Sequence, residues 1–96
     1  RGDYKQLHLD NLAYENVVFK DFNELGTNLN AVCQNRFGKL IRAKGLVNVG
    51  EKMIKVDVVN GKFNVEKYDG KLSESTLVFI GKDLDESAYN ILFKKD

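Results

Sequence analysis

The dipeptide Asn60-Gly61 constrains this chain more than any other pair of residues in it. A type I′ turn holds both central residues at positive φ, a region that Asn and Gly enter at lower cost than other residues. Strand-like segments flank the pair, Lys52 to Val59 before it and Lys62 onward after it. Treated as a two-residue loop, Asn60-Gly61 sets Val59 opposite Lys62, and the register below follows. Val58 then faces Phe63 and Val56 faces Val65 on one side of the ribbon. On the other side Lys55 faces Glu66 and Asp57 faces Asn64. One face is apolar and the other polar with a favourable charge pair, as a half-buried hairpin requires.

The remaining elements follow from periodicity. Ala13 to Phe19 has strand character through Tyr14, Val17, Val18 and Phe19. Asp21 with Glu24 three positions later marks a helix start. Phe22, Leu25, Leu29, Val32 and Cys33 recur at three- and four-residue steps and define its apolar face. Gly26 weakens that helix slightly, and Gly38 offers a stop after Arg36. Leu40 to Val49 reads as a further strand. After a polar loop around Asp69 to Glu74, the run Thr76 to Ile80 suits a central strand covered on both faces, with Gly81 ending it. Asp85 can cap a last helix carrying Ala88, Ile91 and Leu92 on its inner side, with Lys94 and Lys95 near its negative end. The expected order is β-α-β-β-β-β-α. It describes a single small α/β (α+β) domain in which two helices cover a largely antiparallel sheet. Residues 1–11 read as a polar lead-in and 12–96 as the domain.

Length and charge narrow the function. Ninety-six residues fit one core. Fifteen Lys and Arg against fourteen Asp and Glu leave a net charge of +1, so there is no basic excess for a nucleic-acid partner. Cys33 is the only cysteine, which rules out an internal disulfide and points to the reducing cytoplasm. The longest apolar runs, such as Leu77 to Ile80, are far shorter than the roughly 20 residues that span a bilayer, so no membrane is expected. The chain starts at Arg1 without Met, which suggests excision from a longer protein. Arg1-Gly2-Asp3 spells an adhesion tripeptide, but coincidence at a terminus accounts for it.

A search for chemistry returns few candidates. No Gly-x-x-x-x-Gly-Lys-Ser/Thr and no Gly-x-Gly-x-x-Gly occurs, so this chain has no phosphate loop of its own and is not expected to be an enzyme. His8 and Cys33 are the only strongly coordinating nitrogen and sulfur side chains, without a CxxC or HxxxH pair. His8-Leu9-Asp10 could offer a transient ligand pair to zinc or nickel; a solvated His near a chain end is the simpler reading. Cys33 reads as a core thiol rather than a nucleophile, since nothing in the spacing sets His8 beside it. Asp83, Asp85 and Glu86 precede a helix, where acids complement its dipole. Phe63, Lys67 and Tyr68 mix aromatic and basic character without the signature of an RNA-binding sheet.

Arg42-Ala43-Lys44-Gly45 remains. In a strand Arg42 and Lys44 share one face, while Ala43 and Gly45 on the other let a neighbouring backbone come close. The paired cations could hold a carboxylate within the domain or on a neighbour, or could simply be solvated. Ile41 to Val47 resembles the R-A-K-G strand of the C-terminal domain of CobW-type GTPases. Further along, Leu77 to Asp85 resembles that domain's closing V-x-I-G-x-x-L-D element, and Leu92-Phe93 sits near the end of the helix that follows. The resemblance runs over roughly residues 8–94.

In that family a P-loop GTPase domain comes first, and the proteins act as metallochaperones or metal-insertion factors. The resemblance therefore implies a non-catalytic accessory domain. Its partners would be the upstream GTPase domain of the same polypeptide and a client metalloprotein. GTP, Mg and a transition metal such as Zn or Co would belong to the parent protein. Arg42, Lys44, Gly45, Gly81 and Asp83 carry over as structural or domain- and partner-contact positions. Many members have tryptophan or further histidines after the R-A-K-G strand, whereas this chain has no Trp and only His8. The alternative is a free-standing small-ligand or metal-binding module using His8 and Cys33.

Overall fold

The computed structural model describes residues 8–70 and 75–94. The Arg1-Gly2-Asp3 tripeptide, the rest of the lead-in to residue 7, the tip of the polar loop at 71–74, and Lys95 lie outside the described residues. In chain order the elements are β1 (Asp10–Glu15), β2 (Val18–Phe19), α1 (Phe22–Cys33), β3 (Lys39–Val49), β4 (Lys52–Val59), β5 (Lys62–Lys67), β6 (Thr76–Lys82) and α2 (Glu86–Phe93). The six strands form one sheet in the order β1-β6-β3-β4-β5, with the short β2 lying parallel against the end of β3. Every other pairing is antiparallel. The expected class, two helices on a largely antiparallel sheet, is the one observed.

The hairpin is the one expected from the turn. Asn60 and Gly61 sit at φ of 51° and 80°, and the β4–β5 register pairs Val59 with Lys62, Val58 with Phe63 and Val56 with Val65. Val56 and Val58 are fully buried; Val65, out on the edge strand, keeps 38% of its surface exposed.

Local signals also set the helix starts. Asp21 caps α1, its Oδ1 accepting from the Glu24 N–H at 2.9 Å, while Glu24 Oε1 accepts from the Lys20 N–H at 2.9 Å. Asp85 caps α2 by accepting from the Ala88 N–H at 3.2 Å. At its other end α1 stops at Cys33, short of the Gly38 expected to end it. Asn35 takes the left-handed conformation at φ 60°, and its side-chain oxygen accepts from the Leu40 N–H at 3.1 Å.

Other expectations are corrected by the structure. The strand expected over Ala13–Phe19 is two strands, because Asn16 turns to φ 58° directly after Glu15. Val17 is fully buried without belonging to either strand. β6 runs on through Gly81 to Lys82. Its two faces are unequal: Leu77 and Phe79 are fully buried beneath the helices, whereas Val78 and Ile80 on the opposite face are only half-buried. Helix α2 presents a different face from the one expected. Tyr89 and Phe93 are fully buried and Leu92 partly so, while Ile91 is 82% exposed.

Aromatic packing explains that rotation. Phe79 on β6 lies 4.9 Å from Tyr89 and 4.7 Å from Phe93 between ring centroids. Phe19 and Tyr14 each stand 6.1 Å from Phe93. Seating two rings spaced i, i+4 on this cluster buries more apolar area than seating Ala88 and Ile91 would. Phe22, counted on the inner face of α1, is instead half exposed at the first turn, at the margin of the sheet with Val65.

Candidate functional site

The two sequence elements that carried the resemblance are far apart in the chain and adjacent in space. β3 and β6 are hydrogen-bonded neighbours, with Arg42 opposite Ile80, Lys44 opposite Val78 and Gly45 opposite Leu77. A register shift between Leu40 and Arg42 marks a bulge at Ile41.

Arg42 and Lys44 both project from the face that carries no helix. Beside them on the neighbouring strand β4 lies Asp57, directly opposite Lys44. Arg42 Nη2 stands 3.6 Å from Asp57 Oδ1, with the two side chains 52% and 38% exposed. The spacing makes this an ion pair without a hydrogen bond, and Asp57 Oδ1 itself is shut off from solvent with no hydrogen-bond partner among the described residues. An exposed pair of this kind contributes at most about 1 kcal/mol. The same face carries Val78, Ile80, Leu46 and Met53 half-buried and Val59 exposed. It is a mixed apolar and cationic surface with one under-satisfied carboxylate at its centre. Asp57 was legible in the sequence only as a polar-face neighbour of Asn64. Its place beside Arg42 needed the β3–β4 register, for which Gly50 (φ 61°) at the turn was the only local sign.

The glycines of the two elements stand where strand backbones crowd together. A Cβ built on Gly45 would run into the carbonyl oxygen of Thr76 and lie 2.8 Å from Leu77 Cα. One built on Gly81 would meet the Lys39 carbonyl oxygen and the Leu84 side chain. Both residues let β6 lie close against β3. Asp83 holds φ 55° in the turn after β6, where its carbonyl passes directly over Gly38. That turn is tied down by the Leu84 N–H donating to Asp10 Oδ2 at 2.9 Å and the Asp85 N–H donating to the Phe37 carbonyl at 2.9 Å.

His8 and Cys33 stand on different parts of the chain. His8 is exposed just before β1, and Cys33 is half-buried at the end of α1. Burial pushes the Cys33 thiol pKa up, which disfavours the thiolate that metals and electrophiles require. Among the described residues no group of three or more His, Cys, Asp or Glu side chains converges as metal ligands would.

The description "cobalamin synthesis protein cobW C-terminal domain" matches residues 17–95. The chain belongs to this family. Among solved structures, the Zn(II)-bound YjiA GTPase from E. coli superposes with a TM-score of 0.72 at 20% identity, over 92% of this chain and 29% of that one. A Zn(II)-bound triple mutant of the same GTPase gives 0.72 at 19% identity, over 88% and 28%. At such identities the likeness is one of fold. This cobW C-terminal domain thus spans under a third of the length of those GTPase chains. No curated protein sequence matches it.

Proposed function

We propose that this chain is a non-catalytic accessory domain of a GTP-binding, metal-handling protein. In this reading the helix-free face around Arg42 and Lys44 docks on the GTPase domain of the same polypeptide or on a client metalloprotein. The observation that carries the reading is the character of that face. Two cations of the family's strand flank an under-satisfied carboxylate among half-buried apolar side chains, on a sheet whose helices all lie on the other side. Polar groups of this kind gain from a partner that completes their hydrogen bonds, and apolar residues around them gain from exclusion of water. GTP and Mg would be bound by the GTPase domain, as would a metal such as Zn or Co. Nucleotide state would reach a client through the docked sheet.

The test is a charge reversal, Arg42→Glu with Lys44→Glu, measured as binding to the separately produced GTPase domain or client. Affinity is expected to fall about tenfold or more, while circular dichroism shows the domain still folded. Unchanged affinity in a folded double variant removes this face from the assignment. Saturable zinc binding by this chain alone, lost in His8→Ala, would support the metal-binding module instead.

A further inference from the structure

A second surface is set apart by its chemistry. β1 is an edge strand, paired with β6 on one side and with no strand on the other among the described residues. The Asn16 N–H donates to the Ser75 carbonyl at 2.6 Å, which extends the β1–β6 register by one hydrogen-bonded pair. Counting back by alternation, Tyr14, Leu12 and Asp10 bond to β6, while the backbone groups of Asn11, Ala13 and Glu15 point outward. Edge strands are normally blunted with lysine, proline or a bulge. The opposite edge, β5, carries Lys62, Glu66 and Lys67; β1 has no charge between its end residues Asp10 and Glu15, no proline and no register shift.

Helix α2 packs across β6 and β1, on Phe79 and Tyr14, and runs the same way as β1, since Asp10 contacts Leu84 and the Tyr14 hydroxyl donates to Asn90 Oδ1 at 2.7 Å. Glu86, Asn90 and Lys94, spaced by four, face the open cleft along β1. That stripe is acid, amide, base, and it is complementary to itself when reversed.

We propose that β1 is a homodimer interface, in which a second copy of this chain pairs its β1 antiparallel to the first about a two-fold axis at Ala13. In that register Ala13 meets Ala13 and Asn11 meets Glu15 of the other copy, so about six backbone hydrogen bonds form between the outward groups. On the helix-free face the Asn11 amide can donate to the Glu15 carboxylate across the axis. Strand pairing at the usual spacing of about 4.8 Å brings the two α2 helices side by side and antiparallel. Glu86 of each then faces Lys94 of the other, and the two Asn90 residues meet at the axis. The contact is isologous and closes at two copies, leaving the Arg42 face free.

Sedimentation of the 96-residue chain across a concentration range tests the proposal. The mass is expected to rise from 10.9 kDa towards twice that, with concentration-dependent amide protection at Asn11, Ala13 and Glu15. Ala13→Pro removes an outward donor without touching the β6 ladder and should abolish the dimer while the fold persists. Glu86→Lys and Lys94→Glu should each weaken association about tenfold, and the double charge swap should restore it. That restoration is not expected from damage to α2 alone. A chain that stays at the mass of one copy overturns the proposal. So does a dimer indifferent to Ala13→Pro, or a double swap no better than either single reversal.

Discussion

Gly45→Ala separates a packing role from a contact role for the R-A-K-G strand. The added Cβ would sit 2.8 Å from Leu77 Cα and closer still to the Thr76 carbonyl. Carbon atoms pack at about 3.5–4.0 Å, so β3 and β6 must part by close to 1 Å at this point. Gly45 is also paired with Val56 on its other side, so β3 cannot retreat without disturbing the β4 ladder. Overpacking of this kind costs about 1–3 kcal/mol, and the upper end applies because the opposing atoms are backbone. A domain of this length has roughly 5–14 kcal/mol of total stability. A loss of about 3 kcal/mol should lower Tm by about 12–24 °C. Gly26→Ala is the matched control. No heavy atom lies within 4 Å of its added Cβ, so the same chemical change in α1 should stabilise by about 0.5–1 kcal/mol. Thermal and urea denaturation of both variants gives the answer. If Gly45→Ala costs less than about 1 kcal/mol with an unchanged m-value, strand approach is not what requires glycine there. The residue would then have to be explained by what touches it from outside.

Two further outcomes follow from the core. Tyr89 is fully buried and its hydroxyl has no hydrogen-bond partner among the described residues, so Tyr89→Phe should leave stability unchanged or raise it by up to about 1 kcal/mol; a clear loss in urea denaturation would mean the hydroxyl is satisfied in solution. Alkaline pH should unfold the domain. Burial raises the pKa of Tyr14, with Glu86 adding to it, and burial likewise raises those of Tyr89 and Cys33. Groups whose folded pKa is raised bind protons more tightly in the native state. Their contribution is thus complete below the unfolded values, about 8.5 for Cys and 10 for Tyr, and is lost as pH rises beyond them. Urea midpoints measured from pH 7 to 11 should be flat at first and then fall. A midpoint that rises above pH 10 would refute the assignment.

Much of the fold was legible before the structure, and what could be read was local. Asn60-Gly61 determined a turn, and the period-two pattern on either side determined which residues oppose one another, because a one-residue slip would turn every side chain to the wrong face. Asp21 and Asp85 determined where the helices begin, since a short carboxylate satisfies free N–H groups that have no partner inside the helix. The two family elements were readable as motifs, and the R-A-K-G alternation put Arg42 and Lys44 on one face.

What only the tertiary structure decided depends on partners distant in sequence. A short helix such as α2 has several plausible apolar faces. Phe79, Tyr14 and Phe19 chose the one with Tyr89 and Phe93 and left Ile91 outside. Asn16 broke the first strand by turning to φ 58° straight after Glu15, while its N–H stays bonded to Ser75, remote in the chain. The need for glycine at positions 45 and 81 lies in the other strand's backbone, invisible until β3 and β6 are side by side. Which sheet face stays open, and which strand stands at the edge, are likewise properties of strand order. Local preferences are written residue by residue, whereas strand order is selected by the burial of the whole apolar surface at once.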